Sequence, residues 1–94
     1  MHARRQVHVV VCGLVQGVGF RYFAAREAER LALVGWVCNQ MDGSVEALAQ
    51  GPAADLETFL ASLRRGPTGA RVADLQVTCQ QAGPGLTRFE VRHV

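Results

Sequence analysis

The sequence predicts an α+β fold, an α/β sandwich in which two helices cover one face of an antiparallel sheet. Two observations support this prediction. Stretches with strand-like alternation and stretches with helical spacing follow one another in the order β-α-β-β-α-β, with a short extra strand at the C-terminus. The length of 94 residues also leaves no room for a second core, so we treat residues 1–94 as a single domain.

The first strand and the first helix flank a glycine-rich segment. The run QVHVVVCG, from Gln6 to Gly13, is dense in β-branched residues and predicts a mostly buried strand. The segment LVQGVG follows, and from Phe20 onwards apolar residues recur at helical spacing. We expect this helix to end near Val34, with Gly35 as a left-handed cap.

The rest of the chain supplies three strands, a second helix and a short final strand. The second strand begins at Trp36, which we expect in the core with the phenylalanines, and the Asp42-Gly43 pair predicts a tight hairpin into the third. An amphipathic helix lies between Pro52 and Gly66. Residues 73–80 then alternate as a fourth strand, with the odd-numbered side chains on one face, and residues 88–94 form the last strand. This order is the ferredoxin-like arrangement.

Composition excludes several classes of function. All ten basic residues are arginine, so a Walker A loop and Schiff-base chemistry are excluded. A net charge of +2 is too small and too scattered for a nucleic-acid-binding stripe. No apolar run is long enough to span a membrane. We therefore expect a cytoplasmic, monomeric protein that binds neither nucleic acid nor membrane. Cys12, Cys38 and Cys79 lack the paired spacing of a metal or redox motif, which predicts free thiols.

The segment between the first strand and the first helix has the features of an oxyanion receptor. Gly17 and Gly19 allow successive N–H groups to converge, and the helix presents its positive N-terminal end. Arg21 falls in the first helical turn, where a planar guanidinium can contact two phosphate oxygens. Asn39 should lie at the same sheet edge, about two strand spacings or roughly 10 Å away. By spacing alone, a plain turn and a solvated arginine explain the pattern equally well.

Two motifs resemble the signatures of the acylphosphatase family. Residues 13–21, GLVQGVGFR, resemble the first signature, and residues 33–39, LVGWVCN, with residues 42–46, DGSVE, resemble the second. The similarity covers nearly the whole chain from about Val7. It implies a ferredoxin-like fold and an enzyme that hydrolyses the carboxyl-phosphate bond of acyl phosphates to a carboxylate and inorganic phosphate. It also implies that no metal or other cofactor is needed.

The resemblance further implies a role for particular residues. Loop amides and Arg21 would bind the phosphoryl group, and Asn39 would orient the attacking water, which makes Arg21 and Asn39 the predicted catalytic residues. A bound phosphate or sulfate is expected in the loop. The predicted phosphate-binding residues are Val15, Gln16, Gly17, Val18, Gly19, Phe20 and Arg21. Cys38, Gln40 and Ser44 stand where arginine, threonine and threonine are common, and we expect them to tune the rate.

Other functions fit part of the sequence. An RNA-binding module of this fold would stack bases on aromatic residues of the two central strands, but VHVVVCG and SVEALAQ contain none. A thiolate phosphatase would use Cys12, but the arginine-terminated loop of such chemistry does not follow it directly. His8 and His93 have no partner acid at catalytic spacing, so we interpret both as structural. A non-catalytic anion-sensing domain with the same loop stays open.

Overall fold

A computed structural model describes residues 4–93 and contains two helices and five strands within that range. The elements follow the predicted order, including the short final strand. In chain order they are β1 (Arg5–Leu14), α1 (Phe20–Arg30), β2 (Val34–Asn39), β3 (Val45–Gly51), α2 (Ala53–Arg65), β4 (Arg71–Gln81) and β5 (Phe89–Arg92). Val94, which the prediction includes in the last strand, lies outside the described residues.

The five strands form one sheet in the order β4-β1-β3-β2-β5. β1 pairs antiparallel with β3 and β4, and β2 pairs antiparallel with β3. β1 and β2 therefore run in the same direction on either side of β3, as predicted, and their carboxyl ends meet the same edge of the sheet. The sheet is antiparallel except where β5 runs parallel to β2 at the outer edge.

Both helices pack on one face of the sheet and share a single hydrophobic core with it. Alternate side chains of the central strands point toward the helices, and burying each valine or larger side chain stabilises the fold by about 1.5–3 kcal/mol. The main core residues are Val7, Val9 and Val11 of β1, Val37 of β2, Val45, Ala47 and Ala49 of β3, Phe20, Ala24 and Ala28 of α1, and Leu56, Phe59 and Leu63 of α2.

Trp36 lies on the other face of the sheet, and the prediction that it belongs to the core is wrong. Position 36 alternates with the buried Gly35 and Val37, so its side chain points away from the helices. The indole packs edge-on against His8, with 6.4 Å between ring centroids. The guanidinium of Arg92 lies 5.1 Å from the centre of the Trp36 ring, a cation–π distance. These two neighbours cover the ring in place of the core.

Helix α1 ends earlier than the sequence pattern predicts, and its left-handed residue is an alanine. Ala32 has φ 56°, and the N–H of Leu33 donates to the Ala28 carbonyl at 2.8 Å, which closes the last turn. Leu33 is only 3% exposed, so its burial in the core explains why the chain adopts this turn without glycine. Gly35 instead lies within β2, where the absence of a Cβ lets the backbone of β3 approach closely.

A β-bulge interrupts β4 near the start of that strand. Cys12 pairs with Asp74 and the next residue, Gly13, pairs with Val72, so Ala73 has no partner across the ladder. One extra residue on a strand reverses the side-chain alternation beyond it. Ala73 is exposed and Val72 takes the core-facing place. The predicted alternation is therefore correct only C-terminal to the bulge.

Replacing Ala32 with glycine should stabilise the protein. The left-handed conformation costs an alanine about 1–2 kcal/mol, and the greater freedom of glycine in the unfolded chain offsets part of that gain. We expect Ala32→Gly to raise the free energy of unfolding by about 0.5–1 kcal/mol in urea denaturation. The matched control is Ala61→Gly, at an exposed position inside α2, which should lower it by about 1 kcal/mol. Equal destabilisation by both changes would contradict the strain assigned to Ala32.

Candidate active site

A small cavity lies at the sheet edge where β1 and β2 end. Its volume is about 100 Å³. The loop between β1 and α1, the first turn of α1 and the end of β2 form its walls. The lining residues are Val15, Gly17, Gly19, Phe20, Arg21, Tyr22 and Asn39. The structure thus brings Arg21 and Asn39 to one cavity with most of the predicted loop residues, whereas Gln16 and Val18 do not line it.

Apolar anchors hold the β1–α1 loop, residues 15–19, in place. Val15 and Phe20, the residues at its start and just after its end, are 1% and 2% exposed, and Val18 packs against the same core. Between these anchors Gly17 and Gly19 have φ of 76° and 77°, in the left-handed region that glycine enters without a steric penalty. The loop can therefore reverse direction twice within a few residues.

The loop keeps a row of backbone donors without protein partners. Among residues 4–93, no carbonyl or side chain accepts a hydrogen bond from the N–H groups of residues 16–19. The first N–H groups of α1 lack intrahelical partners as well, and no side chain caps this helix end. Free donors beside the positive end of a helix form a favourable site for an oxyanion.

The side chain of Gln16 links the loop to the β2–β3 hairpin. Its amide nitrogen donates to the carbonyl of Gln40 at 2.7 Å and to the carbonyl of Ser44 at 2.8 Å. The backbone N–H of Gln40 also donates to the Ser44 carbonyl, at 2.8 Å. Because Gln40 directly follows Asn39, this link controls where the loop lies relative to Asn39. Only the backbone of Gln16 is then available to an anion.

Asn39 lines the cavity, and its side-chain amide has no hydrogen-bond partner among the described residues. In the sheet register Val45 lies directly between Val11 of β1 and Asn39 of β2, which is the predicted separation of two strand spacings. No residue of the described chain forms a hydrogen bond with the Asn39 side chain. That amide is available to water or ligand. The thiol of Cys38 donates to the Asn39 carbonyl at 3.3 Å, on the backbone side only.

The guanidinium of Arg21 is held by the C-terminal end of the chain. Its Nη1 donates to the carbonyl of Arg92 at 3.1 Å and lies 3.0 Å from Nδ1 of His93. A guanidinium can only donate, so Nδ1 accepts and the imidazole carries its proton on Nε2. No described residue accepts from Nε or Nη2 of Arg21, which leaves two donor nitrogens, with three N–H groups, for a ligand. Nothing in the sequence indicates this contact, because it depends on how β5 packs against α1.

Asp42, Glu46 and His8 form their hydrogen bonds with residues outside the cavity. Asp42 accepts hydrogen bonds from the hydroxyl of Ser44 at 2.6 Å and from its N–H at 2.9 Å. These bonds, the hydroxyl first, lower the pKa of Asp42, and a more acidic carboxylate is a weaker general base. His8 pairs with Glu46 at 2.5 Å on the open face of the sheet, and the second oxygen of Glu46 accepts from the Gln40 side chain at 2.6 Å.

The structure also describes the cysteines, the possible metal ligands and the length of the helices. Cys12, Cys38 and Cys79 are free thiols, and Cys12 does not line the cavity. The described part of the chain contains no group of three or more His, Cys, Asp or Glu residues placed to hold a metal ion. Neither α1 nor α2 is long and apolar enough to cross a membrane.

Removing the Gln16 side chain should loosen the loop. Gln16→Leu removes the two hydrogen bonds to the carbonyls of Gln40 and Ser44, at a net value of about 0.5–1.5 kcal/mol each. It should therefore lower the free energy of unfolding by about 1–3 kcal/mol and weaken binding of inorganic phosphate severalfold. Urea denaturation and calorimetric titration with phosphate measure the two effects. Gln40→Leu is the control, because it keeps the Gln40 carbonyl and loses only the contact with Glu46. Wild-type phosphate affinity in a folded Gln16→Leu variant would contradict the role of this link.

Comparison with known proteins identifies the family. The acylphosphatase profile matches residues 7–91. An acylphosphatase from Moorella thermoacetica is 46% identical over 87 residues, which cover 93% of this chain and 92% of that protein. The crystal structure of acylphosphatase from Bacillus subtilis has a TM-score of 0.91 at 42% identity, covering 94% of this chain and 98% of that one. An acylphosphatase from Coxiella burnetii has a TM-score of 0.90 at 34% identity, covering 96% and 94%. The resemblance seen in the two motifs is confirmed, and the chain belongs to the acylphosphatase family.

Proposed function

We propose that the cavity at the ends of β1 and β2 is where this chain hydrolyses the carboxyl-phosphate bond of small acyl phosphates. The family and the similar structures support acylphosphatase activity, with a small-molecule acyl phosphate as the substrate. One observation carries the choice of site: a single cavity joins the glycine-containing loop, Arg21 and Asn39. A non-catalytic anion-sensing domain is not favoured, because relatives of nearly the same length are acylphosphatases.

Binding of the phosphoryl group uses fixed dipoles and one permanent cation. The free N–H groups of the β1–α1 loop and the start of α1 would receive the phosphoryl oxygens. The two unoccupied donor nitrogens of Arg21 would contact the same group, while Arg92 and His93 hold the guanidinium in position. None of these donors has to reorganise as charge develops during the reaction, so they stabilise the transition state efficiently.

Hydrolysis then requires a positioned water and a good leaving group. The amide of Asn39 would hold the water in line with the bond to the acyl oxygen. As the water oxygen bonds to phosphorus, the bond from phosphorus to the acyl oxygen breaks and its electron pair leaves with the carboxylate. Neither Arg21 nor Asn39 accepts a proton near neutral pH. A phosphoryl oxygen of the substrate takes the proton, which makes the hydrolysis substrate-assisted.

The remaining expectations about partners and location stay predictions. Phosphate or sulfate in the β1–α1 loop follows from the same free donors. Absence of RNA binding is supported by the open face of the sheet, because the central strands β1 and β3 carry no Phe, Tyr or Trp, and because His8 and Arg92 cover Trp36 of β2. The monomeric state, the cytoplasmic location and the lack of membrane binding rest on the sequence.

Substitutions should separate binding from catalysis. Arg21 contacts phosphate in both the ground state and the transition state, so Arg21→Ala should weaken binding of inorganic phosphate and also depress turnover severely. Arg21→Lys should restore only part of either, because an ammonium cannot make the planar two-point contact. Asn39→Ala should bind phosphate almost normally, while its turnover falls by on the order of a hundredfold or more.

Steady-state kinetics and calorimetric titration with phosphate test this division of roles. Glu29→Ala, an exposed change on α1 outside the cavity, is the control and should keep both properties. An Asn39→Ala variant with near-wild-type turnover would contradict the proposed role of Asn39. A loss of phosphate affinity in Asn39→Ala as large as the loss in Arg21→Ala would also contradict that role.

Chelators should leave the activity unchanged. The positive charge that faces the phosphoryl group comes from Arg21 and from the N-terminal end of α1, so the proposed reaction has no step that needs a metal ion. We expect equal rates of phosphate release from benzoyl phosphate with and without EDTA, and no increase on adding magnesium or zinc. Activity that is lost in EDTA and restored by either ion would exclude this mechanism.

A further inference from the structure

We infer that Tyr22 forms the wall against which the acyl group of the substrate packs, so that the preferred substrates carry an apolar and above all an aromatic acyl group. This inference rests on the proposed function, because it concerns the part of the substrate that lies beyond the phosphoryl group. It assigns Tyr22 a role in specificity, separate from the roles of Arg21 and Asn39.

Tyr22 is an exposed apolar side chain in the wall of the cavity. Within residues 4–93 the large hydrophobic side chains that are exposed are Leu14 at 56%, Tyr22 at 59% and Met41 at 95%. Of these three, Tyr22 lines the cavity, whereas Met41 lines a separate depression beside Gln40 and Asp42. An exposed aromatic ring in the wall of a cavity offers apolar surface that a ligand can cover.

The covalent structure of the substrate brings its acyl group to this surface. The cavity is small, about 100 Å³, and in the proposed reaction its loop, Arg21 and Asn39 hold the phosphoryl group and the attacking water. The acyl carbon is one oxygen away from phosphorus, so the remainder of the substrate must extend through the mouth. Tyr22 follows Arg21 in the first turn of α1, so the residue that contacts the phosphate is adjacent to the residue that meets the acyl group.

The charges around the cavity favour an uncharged acyl group. Among residues 4–93, Arg21 is the one charged side chain that lines it, and the phosphoryl group occupies that charge. No carboxylate side chain in that range lines the cavity and could pair with a cationic acyl group. An aromatic acyl group can instead pack against the Tyr22 ring in an offset or edge-to-face arrangement and remove apolar surface from water. A methyl group, as in acetyl phosphate, gains little from that contact.

The test compares two substrates in the full chain. The quantity measured is the ratio of kcat/KM for benzoyl phosphate to kcat/KM for acetyl phosphate. Tyr22→Ala should lower this ratio roughly five- to twentyfold, chiefly through KM for benzoyl phosphate, while Tyr22→Phe keeps it within about twofold. Arg26→Ala is the matched control, because position 26 lies one turn farther along the same face of α1 and outside the cavity. Its ratio should equal that of the unmodified chain.

The possible outcomes distinguish a failure of the role assigned to Tyr22 from a failure of the proposed function. An unchanged ratio in Tyr22→Ala, with circular dichroism and phosphate affinity like those of the unmodified chain, overturns the role of Tyr22. A fall of equal size in Tyr22→Phe also overturns it, since the hydroxyl and not the ring would then recognise the substrate. If the unmodified chain hydrolyses neither substrate, the proposed function itself fails. A lowered ratio confined to Tyr22→Ala supports the inference.

Discussion

β3 pairs antiparallel with both β1 and β2, and the rest of the site depends on this arrangement. The buried Val45 lies in register with Val11 on one side and with Asn39 on the other. Because β1 and β2 must then run in the same direction, the loop that leaves β1 and the asparagine that ends β2 meet at one edge. The spacing across three strands, roughly 10 Å, suits a small anion with a water beside it. The burial of Val45 therefore fixes the distance between the β1–α1 loop and Asn39.

Hydrogen bonds fix the positions of the β1–α1 loop and of Arg21 more closely than the strand pairing alone does. Gln16 ties the loop to the hairpin, and the carbonyl of Arg92 with His93 holds Arg21. These contacts use backbone carbonyls or a neutral imidazole as acceptors, so they do not neutralise the arginine charge. The side chains of Cys38 and Gln40 do not contact the amide of Asn39.

Features of the fold and of the site that depend on local residue patterns could be predicted from the sequence. Alternation identifies the central strands, and the motif around Gly17 and Gly19 with Arg21 in the first helical turn identifies the loop. Features that arise from packing between distant segments could not be predicted. The end of α1 depends on burial of Leu33, and the contact of His93 with Arg21 depends on the position of β5. Trp36 is predicted in the core, but its position in the alternation of β2 directs the indole to the opposite face, where His8 and Arg92 cover it.

The bulge at Ala73 has a consequence for behaviour at high concentration. β4 is an edge strand of eleven residues, and one side of it has no partner within the sheet. A long regular edge offers a template to which a second chain can add, which is how many β proteins begin to aggregate. The bulge breaks the spacing of the free backbone groups near one end of that edge, and the charged Arg71 and Asp74 flank it. The irregularity at this end of β4 therefore makes the edge a poorer template for a second chain.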